Sequence, residues 1–348
     1  MTNLVDGGFL GLVSISSYEE AEWPGSALTN KPLAMALDLQ NRPVLAVKTD
    51  GGYTLVTLEY DGGLSLGHFF AAGNEFGGNV NLRIDQTGVS HLLSGPYYFR
   101  GERDGGASFY DTNAFTNFGT FRTLAVTPDG TAHVVGTNMQ AVTARSAPPQ
   151  TFAWDGGSGT AIGAVTNAFR IRAVSTHPQF LDVVYQPDNS TTRLEWVHRS
   201  QGVWRVNRVI NPNIGPLQAV AGREGRLAVL ANPSGGGSSQ IHAATDGGVW
   251  STLGPLSGIA SNSVAIDQAG NHFVGGSVPF MYKTAAIGRH NGTTFELATV
   301  GPVITEASNS YSSNVFVAID SNNRPHLVYA EVNNSTSHAF RVNWAYWP

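Results

Sequence analysis

Apolar residues in this chain come in short runs, separated by tight polar turns, and the arrangement recurs. The stretch Val315–Tyr329, VFVAIDSNNRPHLVY, shows the unit: an apolar strand, a polar turn and a second apolar strand. Copies begin at Ala34 (AMALDLQNRPVLAVK), Asn81 (NLRIDQTGVSHLLSG), Thr123 (TLAVTPDGTAHVVGT) and Ser263 (SVAIDQAGNHFVGGS), with weaker ones at Ile171 and Leu217. Placing each copy by the residue that ends its first strand gives anchors at Asp38, Asp85, Thr127, Ser175, Ala221, Asp267 and Asp320. They lie 47, 42, 48, 46, 46 and 53 residues apart. A period of about 40–50 residues with strand patterning throughout predicts propeller blades of four antiparallel strands. Seven copies predict a seven-bladed β-propeller, all-β, as a single domain over residues 1–348.

A second marker supports the same count. Asp-Gly-Gly turns begin at Asp61, Asp104, Asp155 and Asp246, with looser forms at Ser200-Gln201-Gly202 and His290-Asn291-Gly292. They fall where the third and fourth strands of a blade meet, and Asp-Gly between apolar strands is a hairpin signal because both residues take positive φ cheaply. The remaining copy, Asp6-Gly7-Gly8, stands at the other end of the chain, before Phe9–Ser16. Residues 9–16 are therefore expected as the outer strand of the last blade, closing the ring and hiding two sheet edges. All the repeated turns then fall on one side. The dissimilar segments fall on the other: Asn138–Pro149, Pro187–Thr191, Asn232–Ser239 and Ser277–Lys283 within blades, and Ala71–Asn79, Asp111–Thr120 and Gly301–Asn314 between them. Regular turns carry scaffold and irregular loops carry function, so the irregular side is the expected binding side.

Composition narrows the classes. Charged residues are 13% of the chain and the net charge is −5, which offers no global field for nucleic acid. Cysteine is absent, so neither disulfides nor thiolate metal sites hold the fold. No run approaches a membrane span, and Met1–Ser17 lacks the pattern of a signal peptide. The compartment stays open between cytoplasm and export with a trimmed signal, the latter compatible with Asn-x-Ser/Thr sites at Asn189, Asn291, Asn333 and Asn334. The oligomeric state is open as well.

Candidate chemistry is best read against the scaffold. His91, His133, His272 and His326 share one register at the start of the second strand. Equivalent positions of a ring diverge and cannot meet on one ion, so no metal is expected. Three of them follow Asp85, Asp267 and Asp320 in the same hairpin, which suits a side-chain bond bracing the turn. The acidic stretch Glu19, Glu20, Glu22 before Trp23 has carboxylates for acid–base work and an aromatic for a sugar ring, or is simply a solvated connection. Tyr97, Tyr98 and Arg100, read onto the irregular side, suit a base with a carboxylate-neutralising arginine; loop packing explains them as well. The candidate catalytic residues are thus Tyr97, Tyr98 and Glu22. Arg122 and Arg170 stand five residues before their anchors, near the mouth of the channel, and Arg145 is expected in the long third-blade loop beside them. Together they focus a local positive field for an anion such as a uronate or sulfate. Tyr282, Lys283 and Tyr311 complete the ligand candidates with Trp23 and Arg100. Arg193, Arg199, Arg205 and Arg208, interleaved with Trp196 and Trp204, read as a charged blade edge ahead of a polyanion site.

The hairpin Ala318–Tyr329, echoed at Val126–Val135, resembles the repeat of sialidase-like (BNR-like) propellers, a group with seven-bladed lectins and ulvan-lyase-type polysaccharide lyases. The Ser-x-Asp-x-Gly-x-Thr-Trp boxes of sialidases are missing, and so are a Gly-x-Ser-x-Gly elbow, a phosphate loop, a His-Glu-x-x-His motif and an EF-hand loop. The resemblance is one of scaffold and implies carbohydrate recognition; the dissimilar loops point to one composite site over the channel, with turnover of an acidic polysaccharide as an open question. A lyase of that kind uses a His and a Tyr, and no motif here assigns those roles. The alternatives are a propeller enzyme acting on a non-sugar small molecule, a protein-interaction scaffold and a multivalent lectin. The last should repeat its ligand residues with its turns, and this chain does not. No cofactor is expected; the expected partner is a glycan or small-molecule ligand, with neither nucleic acid nor membrane.

Overall fold

The structure is a computed structural model that describes residues 14–19, 32–49, 51–71, 80–101, 107–111, 122–137, 140–147, 151–154, 160–161, 170–177, 180–187, 193–200, 203–211, 214–233, 238–245, 249–278, 284–300, 309–333 and 340–347. Among the described residues the strands pair into seven antiparallel sheets. Strand β1 (Ser14–Glu19) joins the last of them. The first sheet holds β2 (Pro32–Leu37), β3 (Pro43–Thr49), β4 (Gly52–Leu58) and β5 (Leu64–Ala71). The second holds β6 (Val80–Ile84), β7 (Ser90–Ser94), β8 (Tyr97–Gly101) and β9 (Ala107–Asp111). The third holds β10 (Arg122–Val126), β11 (Ala132–Gly136), β12 (Gln140–Ala147) and β13 (Thr151–Trp154), with β14 (Thr160–Ala161) also on β12.

The fourth sheet holds β15 (Arg170–His177), β16 (Phe180–Gln186), β17 (Leu194–Ser200) and β18 (Val203–Asn211). The fifth holds β19 (Ile214–Arg223), β20 (Arg226–Pro233), β21 (Gln240–Thr245) and β22 (Ser251–Leu253). The sixth holds β23 (Ala260–Ile266), β24 (His272–Val278), β25 (Thr284–His290) and β26 (Phe295–Val300). In the seventh, β27 (Asn309–Ile319), β28 (Pro325–Asn333) and β29 (Phe340–Tyr346) are followed by β1, in the order β27-β28-β29-β1. Repeated meanders packed face to face make this an all-β propeller.

Local chemistry explains the repeated turn. The Asp38 carboxylate accepts the backbone N–H of Gln40 and Arg42 at 2.9 and 2.8 Å, and Asp320 accepts those of Asn322 and Arg324 at 2.9 and 2.7 Å. Asp85 does the same with Thr87 and Val89 at 2.8 and 3.0 Å. The fourth turn residue takes positive φ, filled by asparagine at Asn41 (62°) and Asn323 (70°) and by glycine at Gly88 (83°) and Gly130 (83°). These are the residue types that tolerate it. The Asp side chain thus answers the N–H groups two and four residues on from within the turn itself.

Packing follows from the alternation of each strand. Ala46 and Leu55 of the first sheet share an apolar cluster with Leu82, Leu92 and Phe99 of the second. Similar clusters join the third to the fourth, the fourth to the fifth, the fifth to the sixth and the sixth to the seventh. Leu45, Val47, Val56 and Leu58 of the first sheet cluster with Val328, Ala330, Val342 and Trp344 of the seventh. Side chains also tie neighbours together. Thr123 Oγ1 accepts the N–H of Ala173 at 3.0 Å, and Ser263 Oγ, at the equivalent place in β23, donates to Val315 O at 2.8 Å. On the turn side, Asn41 Oδ1 accepts from Ser321 N at 3.2 Å and Ser321 Oγ at 3.0 Å.

Several boundaries differ from the sequence reading. The strand expected over residues 9–16 runs over Ser14–Glu19, paired from Ser14 opposite Tyr346 to Glu19 opposite Arg341; residues 9–13 lie outside the described residues. Glu19 is therefore a strand residue and not part of a connecting loop, and Glu20 lies outside the described residues. Asn138–Pro149 is mostly β12, and Gly301–Asn314 gives way to β27 at Asn309. On the same side β7 and β8 are joined by the two-residue turn Gly95-Pro96, so that side mixes short turns with longer connections.

Candidate functional site

The seven inner strands, β2, β6, β10, β15, β19, β23 and β27, carry no Asp or Glu. They carry Arg83, Arg122, Arg170 and Arg172, and Arg223 at the turn end of β19 beside Glu224. A chain acidic overall therefore has an inner wall that is cationic on one arc, from the second sheet to the fourth. Arg122 and Arg170 are the first residues of β10 and β15, which start on the side away from the repeated turns and touch each other. The bond from Ala173 to Thr123 fixes the height of one strand against the other, so both arginines sit at the same end. Arg122 is 6% exposed, while Arg170 is half-buried and donates to Leu217 O of the fifth sheet at 3.4 Å.

The other candidates scatter, and the pleat explains why. Tyr97 opens β8 at the irregular end, half-buried against the cluster of the first two sheets. Tyr98 points the opposite way and is fully buried, with its hydroxyl 2.7 Å from His91 Nδ1. His91 Nε2 lies 3.3 Å from Asp85 Oδ2, so Asp85, His91 and Tyr98 form a sealed polar chain inside the sheet. A base must reach substrate, and Tyr98 reaches none, so its role here is packing. Arg100 is a second correction. It pairs with His91, close to the repeated turn, and so stands at the far end of β8 from Tyr97, roughly 10 Å along the strand. Arg145 is not a loop residue but lies in β12, paired with Ala153, and Tyr311 lies in β27, paired with Glu331. Glu22, Trp23, Tyr282 and Lys283 lie outside the described residues.

The shared histidine register is a bracing feature at two places. His326 Nε2 lies 3.3 Å from Asp320 Oδ2, and Trp344 Nε1 donates to His326 Nδ1 at 3.2 Å. His272 departs from the pattern, because Asp267 accepts from Asn271 instead, through its backbone at 2.7 Å and its side chain at 2.6 Å. Among the described residues no three His, Asp or Glu side chains gather to hold a metal ion. Sequence reasoning missed Arg83 and Arg172. The available signal was a lone arginine inside an otherwise apolar strand, NLRID and IRAVS.

No protein-family model matches the sequence, and no curated protein matches it. Solved structures do resemble the fold. A streptogramin B lyase superposes with a TM-score of 0.60 at 10% identity, covering 95% of this chain and 98% of that one. The WD40 domain of Neurospora crassa Pan2 gives 0.61 at 9% identity, with 97% and 95% covered. A polysaccharide lyase of family PL25, an ulvan lyase bound to -[GlcA(1-4)Rha3S]-, gives 0.56 at 13% identity, with 94% of each chain covered. At such identities the likeness is one of scaffold alone.

Proposed function

We propose that the seven sheets are the blades of one closed propeller, and that the chain recognises an anionic carbohydrate at a single composite site on the irregular side of the channel. Arg122 and Arg170 hold the carboxylate or sulfate of the ligand. The observation that carries this reading is their shared position at the start of adjacent inner strands, on a wall of inner strands without one carboxylate. Each guanidinium presents a planar donor fork that matches an oxyanion, and a low-dielectric channel strengthens the attraction. The repeated turns differ little from sheet to sheet, whereas the arginines occupy only one arc, which favours one ligand over seven equal ones.

A glycan array run beside a panel of uronate-containing, sulfated and neutral polysaccharides tests the reading. Anionic members should bind and neutral ones should not, with affinity falling as salt screens the charges. Arg122→Gln and Arg170→Gln should each weaken binding by at least about tenfold, the scale of one charge-assisted contact. Equal binding of neutral and anionic glycans, or unchanged binding in both variants, overturns it. Turnover is read separately, from the absorbance of an unsaturated uronate. Binding without product leaves a recognition protein and removes the lyase.

A further inference from the structure

Asn291-Gly292 is the one Asn-Gly pair in the chain, and it stands in the turn that joins β25 to β26. Glycine has no side chain to keep its nitrogen from the preceding amide. The approach is open here as well. Both residues are exposed, and a Cβ placed on Gly292, whose φ is 97°, would meet nothing within 4 Å among the described residues. Groups of the same turn surround the amide. Asn291 Oδ1 accepts from the backbone N–H groups of Thr293 and Thr294 at 3.0 and 2.9 Å, and from the Thr293 hydroxyl at 2.9 Å. The Gly292 N–H donates to Nδ1 of the buried His290 at 3.0 Å. Accepting that bond requires an Nδ1 without a proton, and burial keeps the imidazole below its ordinary value, so it is a neutral base near neutrality. His272, opposite it in β24, is pushed down to about 4 and adds no charge there.

We propose that Asn291 is a self-modification site, at which the turn deamidates its own side chain. His290 Nδ1 takes the Gly292 amide proton, and rotation about the Asn291 Cα–C bond brings the nitrogen onto Cγ. The N–Cγ bond forms while Oδ1 takes up negative charge, which the three donors stabilise as an oxyanion hole does. The tetrahedral centre then collapses, the Cγ–Nδ2 bond breaks, and the proton held by His290 leaves with Nδ2 as ammonia. Water opens the resulting cyclic imide at either carbonyl, giving aspartate or isoaspartate. Both products add a negative charge at the tip of the sixth sheet. Isoaspartate also lengthens the main chain inside the turn that sets the register of the outer strand β26. None of these residues belongs to the glycan reading, so the two stand apart.

Incubation of the full chain near neutral pH, folded or unfolded in guanidinium, tests the proposal. Conversion is followed by the mass gain of the peptide carrying Asn291 and by the ammonia released. The folded chain should convert at least about tenfold faster than the unfolded one, within what one general base supplies. His290→Gln, which can still accept the Gly292 N–H but takes no proton, should lose most of that gain. Thr293→Val should slow conversion about fivefold, the scale of one hydrogen bond, and Thr293→Ser should restore it. If His290→Gln does not fold, the variants at the exposed Thr293 carry the test. The inference fails if the folded chain converts no faster than the unfolded one, as a turn that merely shields its amide would. It fails as well if either folded His290→Gln or Thr293→Val converts as the wild type does.

Discussion

At the residue scale, buried polar groups set the response of the protein to acid. Burial alone would raise the Asp85 carboxyl, but bonds from His91, Thr87 and the Val89 N–H outweigh it and hold the group well below the usual carboxylate range. A carboxylate depressed on folding contributes stability above its unfolded value, and that stability is lost as pH falls below about 4. Asp85→Asn should destabilise the protein by about 1.5–3 kcal/mol near neutrality and flatten the acid limb, as read by urea unfolding against pH. The histidines act earlier. Burial pushes His242 down to about 4, and burial with the charge of His290 pushes His272 down to about 4. Below the ordinary imidazole value of about 6.5 the unfolded chain takes up protons that the folded one refuses, so stability declines from there down to about pH 4. His242→Gln and His272→Gln should each make that decline shallower.

At the element scale, the turn between the first two strands is both a local motif and a joint between sheets. Asn41 holds a φ of 62° and also accepts two hydrogen bonds from Ser321 of the seventh sheet. Asn41→Ala should cost about 1–2 kcal/mol by losing both the backbone fit and the bonds, while Asn41→Gly should recover the backbone part alone. Calorimetric midpoints of the two variants separate the contributions. This turn was legible in the sequence because its chemistry is local: an Asp serving N–H groups two and four residues on needs nothing distant. Strand ends on the other side were not. Arg145 belongs to β12 because β13 pairs with it, and Tyr311 belongs to β27 because β28 does, both nonlocal facts. Arg100 was misplaced for a related reason: one residue of strand turns a side chain over, and three carry it to the other end of the sheet.

At the scale of the whole molecule, the sheets depend on one another through apolar clusters that none could bury alone. Removing residues 1–19 takes β1 from β29 and leaves the seventh sheet with an open edge. That truncation should lower the unfolding midpoint of the entire protein in one cooperative step; a midpoint equal to that of the intact chain would refute the closing role. The arc of arginines was half visible beforehand. Arg122 and Arg170 were found by their matching distance from the anchors, whereas Arg83 and Arg172 became meaningful only once strand pleating separated them from the leucine and isoleucine beside them.

The pairing of β1 with β29 also has a mechanical side. Ser14 lies opposite Tyr346, so the two ends of the chain leave the ladder at the same rung. Antiparallel hydrogen bonds run across the strands, and a force applied at these ends loads them one after another instead of all together. Pulled by its termini, the protein should unzip this ladder at low force before any other sheet yields, whereas pulling across β27 and β10 should meet several interfaces at once. A fold held together by many shared cores thus has one direction in which it opens like a clasp.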